Sequence, residues 1–256
     1  MTEHDVIMKT GSLPVTESSL VRDLSALGLE PGMTVLVHSS LSSIGWVAGG
    51  SAAVIRALER VLAPEGTLVM PAHSGDLSDP AAWSNPPVPE SWWQPIRDEM
   101  PAFESDLTPT RGMGAIAETF RKRSGTIRSS HPSVSFTARG PAAEAVTAGH
   151  SLAFSLGEKS PLARLYELDA RVLLIGVGHD SDTSLHLAEY RSSYPGKTFT
   201  EFAAPVVERG TRVWKTYRDL EIDTDDFPTV GEAFERERPG SIRIGKIGLA
   251  ESRLIR

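Results

Sequence analysis

Two side chains with complementary acid–base chemistry, His186 and Glu189, stand three residues apart in the run Gly176-Val-Gly-His-Asp-Ser-Asp-Thr-Ser-Leu-His-Leu-Ala-Glu189. The apolar stretch Arg171–Val177 reads as a strand, and the polar residues after it, Asp182 or Thr183, can cap a helix. His186 then falls in the first helical turn, with Glu189 on the same face. The positive end of a helix disfavours imidazolium, whereas a nearby carboxylate favours it. Opposed influences of this kind keep a histidine near neutrality, where it serves as a general base. Asp182 is a second carboxylate that could orient the ring. On these residues alone two other readings stay open. His179, Asp180, Asp182, His186 and Glu189 offer nitrogen and oxygen ligands to a metal ion, or the segment is a capped helix with no chemistry.

A second candidate is the segment His38-Ser-Ser-Leu-Ser-Ser-Ile-Gly-Trp-Val-Ala-Gly-Gly-Ser51, which joins a short strand to a helix. Its glycines let backbone approach a ligand, its serines add hydroxyl donors, and the following helix presents free N–H groups. Such a segment suits phosphate or pyrophosphate oxygens, or is simply a glycine-rich connection. Familiar nucleotide signatures fail. Gly-x-Gly-x-x-Gly is missing, and Gly240–Ile247 mimics a P-loop but ends in isoleucine where a magnesium-binding hydroxyl belongs. Without Gly-x-Ser-x-Gly or any cysteine, the common serine elbow and a thiol nucleophile are both excluded.

The elements that must position these residues follow from periodicity. Thr16–Ala26 predicts an amphipathic helix closed by Gly28. Met33–Val37 predicts a buried strand, Ala52–Leu62 a helix capped by Ser51, and Thr67–Met70 a second strand; this spacing is a βαβ unit with parallel pairing. Between 73 and 110, seven prolines break regular structure, and Trp83, Trp92, Trp93 and Phe103 favour an ordered loop. Helices are predicted near Ala115–Arg123, Pro141–Ala148, Pro161–Leu168 and Val230–Arg238, with an extended Ser133–Thr137. A hairpin is predicted from Thr198–Val207 and Arg212–Tyr217, and a last strand near Ile242–Leu249. His131, before Pro132, reads as part of a surface turn, where Arg128 and Ser129 could touch a ligand phosphate.

With 256 residues, 40% of them apolar, the chain can bury a substantial core. No apolar run approaches the roughly 18 residues of a membrane helix, and the N-terminal residues lack a signal-peptide pattern. A chain without cysteines suggests a cytoplasmic protein. The net charge of −7 argues against a general nucleic-acid binder and is compatible with steering a cationic ligand. Asp219, Glu221, Asp223, Asp225 and Asp226 cluster after Trp214 and Tyr217, as a cation site or as an ordinary solvated face.

Taken in order, His38-Ser-Ser-Leu41, Gly45-x-Val47-x-Gly49-Gly50, Gly66-Thr-Leu-Val-Met-Pro71, Thr108-Pro109, Arg128-Ser129, His131-Pro132, Ser160-Pro161 and Thr183-Ser-Leu-His-Leu-Ala-Glu189 resemble the aminoglycoside 3-N-acetyltransferase family. The resemblance runs from about residue 17 to about 238. It implies an α/β fold, a three-layer α/β/α sandwich with a mixed central sheet, unrelated to the common N-acetyltransferase fold. A single domain over 1–256 would carry the loop 73–110 as an insertion. It further implies acetyl-CoA-dependent acetylation of the 3-amino group of a polycationic aminosugar antibiotic, and hence antibiotic resistance. His38, Ser39, Ser40, Leu41, Val47, Gly49, Gly50 and Ser51 would contact coenzyme A, with Arg128 and Ser129. His186 would be the base, oriented by Glu189 or Asp182, and Glu104, Asp219 and Glu221 would hold ammonium groups. No metal, nucleic acid or membrane partner is expected, and the protein would be a monomer or a homodimer. Two features depart from the family: Phe103-Glu104 stands where it has Phe-Asp, and the region past Asp219 diverges. The rival expectations are a metal-dependent amide hydrolase and a non-catalytic protein that binds CoA or a nucleotide.

Overall fold

The computed structural model describes residues 2–256. In chain order its regular elements are α1 (Glu3–Thr10), α2 (Glu17–Leu27), β1 (Thr34–Ser39), α3 (Leu41–Ile44), α4 (Gly50–Leu62), β2 (Thr67–Pro71), α5 (Trp93–Glu99), α6 (Gly114–Arg121), β3 (Ile127–Arg128) and β4 (Phe136–Arg139). There follow α7 (Ala143–Thr147), α8 (Pro161–Glu167), β5 (Arg171–Ile175), α9 (Leu185–Arg191), β6 (Phe199–Glu208), β7 (Thr211–Leu220), α10 (Phe227–Glu237), β8 (Ile242–Ile247) and β9 (Ala250–Ile255). Seven strands form one mixed sheet in the order β3-β4-β2-β1-β5-β9-β8. β1 runs parallel to β2 and to β5, as the βαβ spacing requires, and the outer pairings are antiparallel.

Alternation along the central strands supplies two apolar faces. Val35 and Val37 of β1, Leu68 and Met70 of β2, and Leu173 and Ile175 of β5 pack with α2, α4 and α6. Leu36 and Val69 point the other way, joining Phe136, Val146, Leu162 and Leu187 beneath α7, α8 and α9. Each fully buried Leu, Val or Phe contributes about 1.5–3 kcal/mol. Burial on both faces is what makes three layers.

Helix α2 shows how local sequence anchors a layer. The Thr16 hydroxyl accepts from the Ser19 amide and the Ser19 side chain accepts from the Thr16 amide, while Leu20, Leu24 and Leu27 recur on the core face. Gly28 closes the helix at φ 105°. Helix α4 starts differently from the sequence expectation. Gly49, at φ 90°, occupies the cap position without a side-chain cap, and Ser51 lies inside the first turn. The predicted last strand is a hairpin of β8 and β9 that turns at Gly248, where φ is 58° and an added Cβ would lie 2.4 Å from the Ile44 carbonyl oxygen.

The segment 73–110 is ordered by α5, two single 3₁₀ turns and an Arg97–Asp79 ion pair of 2.7 Å. The β6–β7 hairpin forms a separate two-stranded sheet, and its Arg212 Nε donates to Met100 O at 2.6 Å, tying it to that segment. His131 is buried, not on a surface turn: its Nδ1 accepts from the amides of Ser133 and Val134. No described helix is long and apolar enough to cross a membrane.

Candidate active site

The parallel strands β2, β1 and β5 open at their carboxyl ends into a cleft of about 1090 Å³. The chain leaves β1 toward β2 on one side and later returns as β5 on the other, so the cleft lies where strand order reverses, the usual ligand position in open α/β sheets. Each strand end delivers a histidine to the cleft wall: His38 from β1, His73 just past β2, and His186 on α9 after β5.

His186 is the second residue of α9 and 3% exposed. Its Nδ1 hydrogen-bonds Glu189 Oε2 one turn along the helix, and its ring rests on Phe227 of α10 with centroids 4.8 Å apart. A carboxylate can only accept, so Nδ1 carries the proton and Nε2 is the nitrogen left as a base. The helix cap is Ser184, not Asp182 or Thr183.

Asp182 makes no hydrogen bond to His186. Its Oδ1 accepts from the Ser184 amide at 3.0 Å and the Ser184 hydroxyl at 2.6 Å, shaping the turn before α9. Its Oδ2 faces His179 Nδ1 at 3.9 Å, too long for a hydrogen bond. Burial pushes the Asp182 carboxyl up, but His179, His38 and the Ser184 donors hold it below the ordinary range. Burial, foremost, lowers His38, with Asp182 opposing and His186 adding to it. His73 is pushed down to about 3 by burial and by the neighbouring histidines. Both rings are therefore neutral at pH 7.

The glycine-serine segment forms another wall of the cleft. His38, Ser39, Ser40 and Leu41 line it, as do Val47, Gly49 and Gly50; Ser51 does not. At Gly50, φ is 56° and an added Cβ would meet nothing within 4 Å, so the backbone faces open space at the start of α4. Several cleft contributors escaped sequence reasoning, among them Met113 and Ala117 at α6 and Ile222 and Thr224 before α10. Thr2, Glu3 and Val6 bring α1 to the rim, although that helix buries none of its own residues and carries little pattern. His73 follows an apolar strand end in the way His38 does, a signal that was available. Asp180 was visible only as a possible metal ligand.

Several predicted contacts are committed elsewhere. Arg128 donates to Ala72 O at 2.7 Å, Ser135 Oγ at 2.9 Å, Ser105 O at 3.1 Å and Thr108 O, and covers Phe103 at 4.8 Å. It pins the 103–108 segment to β2 and lies outside the cleft. Ser129 is 1% exposed, accepts from the Phe136 amide and bonds His150 Nδ1 at 2.9 Å. Asp219 is 5% exposed and accepts from the Ser155 and Leu220 amides and the Tyr190 hydroxyl. Three groups thus place this carboxylate in the packing between β7 and the Ser155 turn, not in a cation site. Glu104 and Glu221 are exposed and outside the cleft wall, although Ile222, next to Glu221, lines it.

A crevice at a strand-order reversal, with a carboxylate-held histidine and a glycine-serine rim, defines an α/β protein built for proton-coupled group transfer. The family model for aminoglycoside 3-N-acetyltransferase matches residues 36–256, and the chain belongs to that family. It is 51% identical over 249 residues, 97% of this chain and 90% of the relative, to the SPbeta prophage-derived aminoglycoside N(3')-acetyltransferase-like protein YokD of Bacillus subtilis. The crystal structure of YokD superposes with a TM-score of 0.95, covering 98% of this chain and 92% of that chain. AAC-IIIb in binary complex with CoASH superposes with a TM-score of 0.83 at 32% identity, covering 95% of this chain and 92% of that chain. For AAC-VIa bound to sisomicin the TM-score is 0.82 at 32% identity, with 95% and 93% covered.

Proposed function

We propose that this chain transfers the acetyl group of acetyl-CoA directly to the 3-amino group of an aminoglycoside. The observation that carries the reading is His186, held at Nδ1 by Glu189 and lining the same cleft as the Ser39–Gly50 segment. Family membership and the CoASH and sisomicin complexes of relatives support it. Residues of the cleft fit a pantetheine-bearing diphosphate: Gly49 and Gly50 expose backbone at the uncapped start of α4, and Ser39 and Ser40 supply hydroxyls. When bound, acetyl-CoA supplies an activated thioester carbonyl.

His186 Nε2 accepts the amine proton as the C–N bond forms, and Glu189 stabilises the resulting imidazolium. Donors from the Ser39–Leu41 segment stabilise charge on the carbonyl oxygen. As the C–S bond breaks, the imidazolium returns the proton to the departing sulfur, leaving an amide and a free thiol. Direct transfer needs no acyl-enzyme, and a chain without cysteine lacks the best nucleophile for one.

Two carboxylates border the cleft, Asp180 and Glu3. Glu3 accepts from Trp46 Nε1 at 3.2 Å, whereas Asp180 has no ion pair among the described residues. Asp180 is therefore the better anchor for a second ammonium group. The setting is cytoplasmic, in keeping with a fold held without disulfides.

Acetyl-CoA thiol release across an aminoglycoside panel, with the acetylated nitrogen located by NMR, tests this reading. Acetylation at the 3-amino group is expected. Tight CoA binding without turnover, or turnover abolished by chelator, would replace it with one of the two rivals. Asp180→Asn should raise acceptor KM about tenfold, equivalent to about 1.4 kcal/mol of binding, with a smaller change in kcat. An unchanged acceptor KM would return ammonium recognition to other groups.

A further inference from the structure

Outside the cleft wall lies a partly buried ionic chain that neither the acid–base pair nor the coenzyme segment uses. His179 Nε2 donates to Glu235 Oε1 of α10 at 2.8 Å, and the same oxygen accepts from Arg253 Nε of β9 at 2.7 Å. On the other side of the ring Asp182 Oδ2 stands 3.9 Å from His179 Nδ1, which is buried and has no hydrogen-bond partner. Helix α10 sits directly on this ring. A Cβ added at Gly231 would lie 2.0 Å from His179 Cγ, so only glycine admits the approach.

The chain touches the base from two directions. Asp182, facing His179, also accepts from the amide and hydroxyl of Ser184, the residue that caps α9 two positions before His186. Helix α10, held to His179 by Glu235, carries Phe227 against the His186 ring. His179 does not line the cleft and so cannot touch substrate. We infer that His179 is a positioning residue for His186: set between Asp182 and Glu235, it locks α10 and the entry of α9 together and thereby sets where Nε2 points. This rests on the acetyl-transfer reading, in which His186 is the base.

Charge agrees with geometry. Asp182, foremost, raises His179 above its ordinary value, burial opposes, and Glu235 adds to the rise. The groups facing the latch are Asp182 on its own turn, Glu235 on α10, Arg253 on β9 behind Glu235, and His38 on β1 toward Asp182. Because the folded value is raised, the latch is complete below the ordinary histidine range and is lost as pH climbs through the raised value. Misplacement of a base by about 1 Å costs up to about a hundredfold in rate.

The test compares kcat–pH profiles of the wild-type chain, His179→Gln and Glu235→Gln with acetyl-CoA and one accepted aminoglycoside, together with NMR titration of the wild-type His179 ring. His179→Gln should lower kcat between about ten- and a hundredfold near neutral pH. The KM for acetyl-CoA should hold, and the alkaline fall of kcat expected of the wild type should be absent. Glu235→Gln should keep an alkaline fall but move it to lower pH, because one of two stabilising carboxylates is neutral. NMR should show His179 titrating above the ordinary histidine value. A folded His179→Gln with wild-type kcat and an unchanged profile overturns the inference. If that variant does not fold, an unshifted Glu235→Gln profile, or a wild-type His179 ring already neutral at neutral pH, overturns it instead. In either case loss of thiol release in His186→Ala leaves the acetyl-transfer reading standing, whereas wild-type turnover in His186→Ala sinks the reading itself.

Discussion

Two groups of buried histidines flank the Phe136 ring of β4, and they differ in what their ring nitrogens have left to do. His38, His73 and His186 meet at the carboxyl ends of the parallel strands; His131 and His150 stack at 4.9 Å beside a smaller cavity of about 290 Å³. Burial and depressed basicity do not separate them. Burial pushes His131 down to about 4 and His150 to about 3, much as it does His73. In the second group every nitrogen is engaged. His131 Nδ1 accepts from two amides and Nε2 donates to Leu152 O, while His150 donates to Ser155 O at 2.6 Å and accepts from Ser129 Oγ. At the cleft His186 has one nitrogen committed, and His73 Nε2 has no partner. Spare hydrogen-bonding capacity, not burial, separates the histidines available for chemistry from those that hold the fold.

The largest effect should come from removing His186. His186→Ala should lower turnover by roughly 10²–10⁴ with acetyl-CoA affinity nearly unchanged. Rate and calorimetric titration measured on the same preparation check both halves. Near-wild-type turnover would erase the distinction between the two groups.

His150→Ala should do the opposite. It leaves the Ser129 hydroxyl and the Ser155 carbonyl unpaired in a buried place, costing about 1–3 kcal/mol of folding stability, while kcat holds within about twofold. Denaturant melts and steady-state rates read the two quantities. A large fall in kcat without loss of stability would move His150 into the catalytic group.

The smallest effect is a slope. The unfolded chain takes up protons on His131 and His150 below the ordinary value of 6.5, whereas the folded chain resists until about 4 and 3. Their stabilising contribution is therefore complete above about 6.5 and drains away as pH falls through that interval. The denaturant midpoint should decline over this range at constant salt, less steeply in His150→Ala. Equal slopes would show that His150 keeps its ordinary basicity in the fold.

Legibility in the sequence followed the distance between interacting residues. Parallel pairing of β1 with β2 was readable because strand, helix and strand follow one another closely. The His186–Glu189 pair was readable because three residues on a helix are neighbours. Strand β9 was missed because Gly248 and Leu249 make too short a turn to break the composition of the segment. The exposed pattern of β8 gave little sign that it was an edge strand. Asp219, within its acidic run, read as a cation site or a solvated residue, yet the chain folds the Ser155 turn over it. Arg128 beside Ser129 suggested a phosphate site, but the backbone carbonyls that occupy Arg128 come from Ala72, Ser105 and Thr108.

What the sequence by itself determined was therefore local: the two apolar phases of the central strands, the Thr16 and Gly28 ends of α2, and the spacing of His186 and Glu189. Those features depend on helical and strand periods and on caps, which act over a few residues. Only the tertiary structure decided which histidines share the cleft, that Glu189 and not Asp182 is hydrogen-bonded to His186, and that α10 closes over His179 at Gly231. Each of those outcomes depends on the packing of elements distant in the chain, where shape and desolvation choose partners that spacing cannot name.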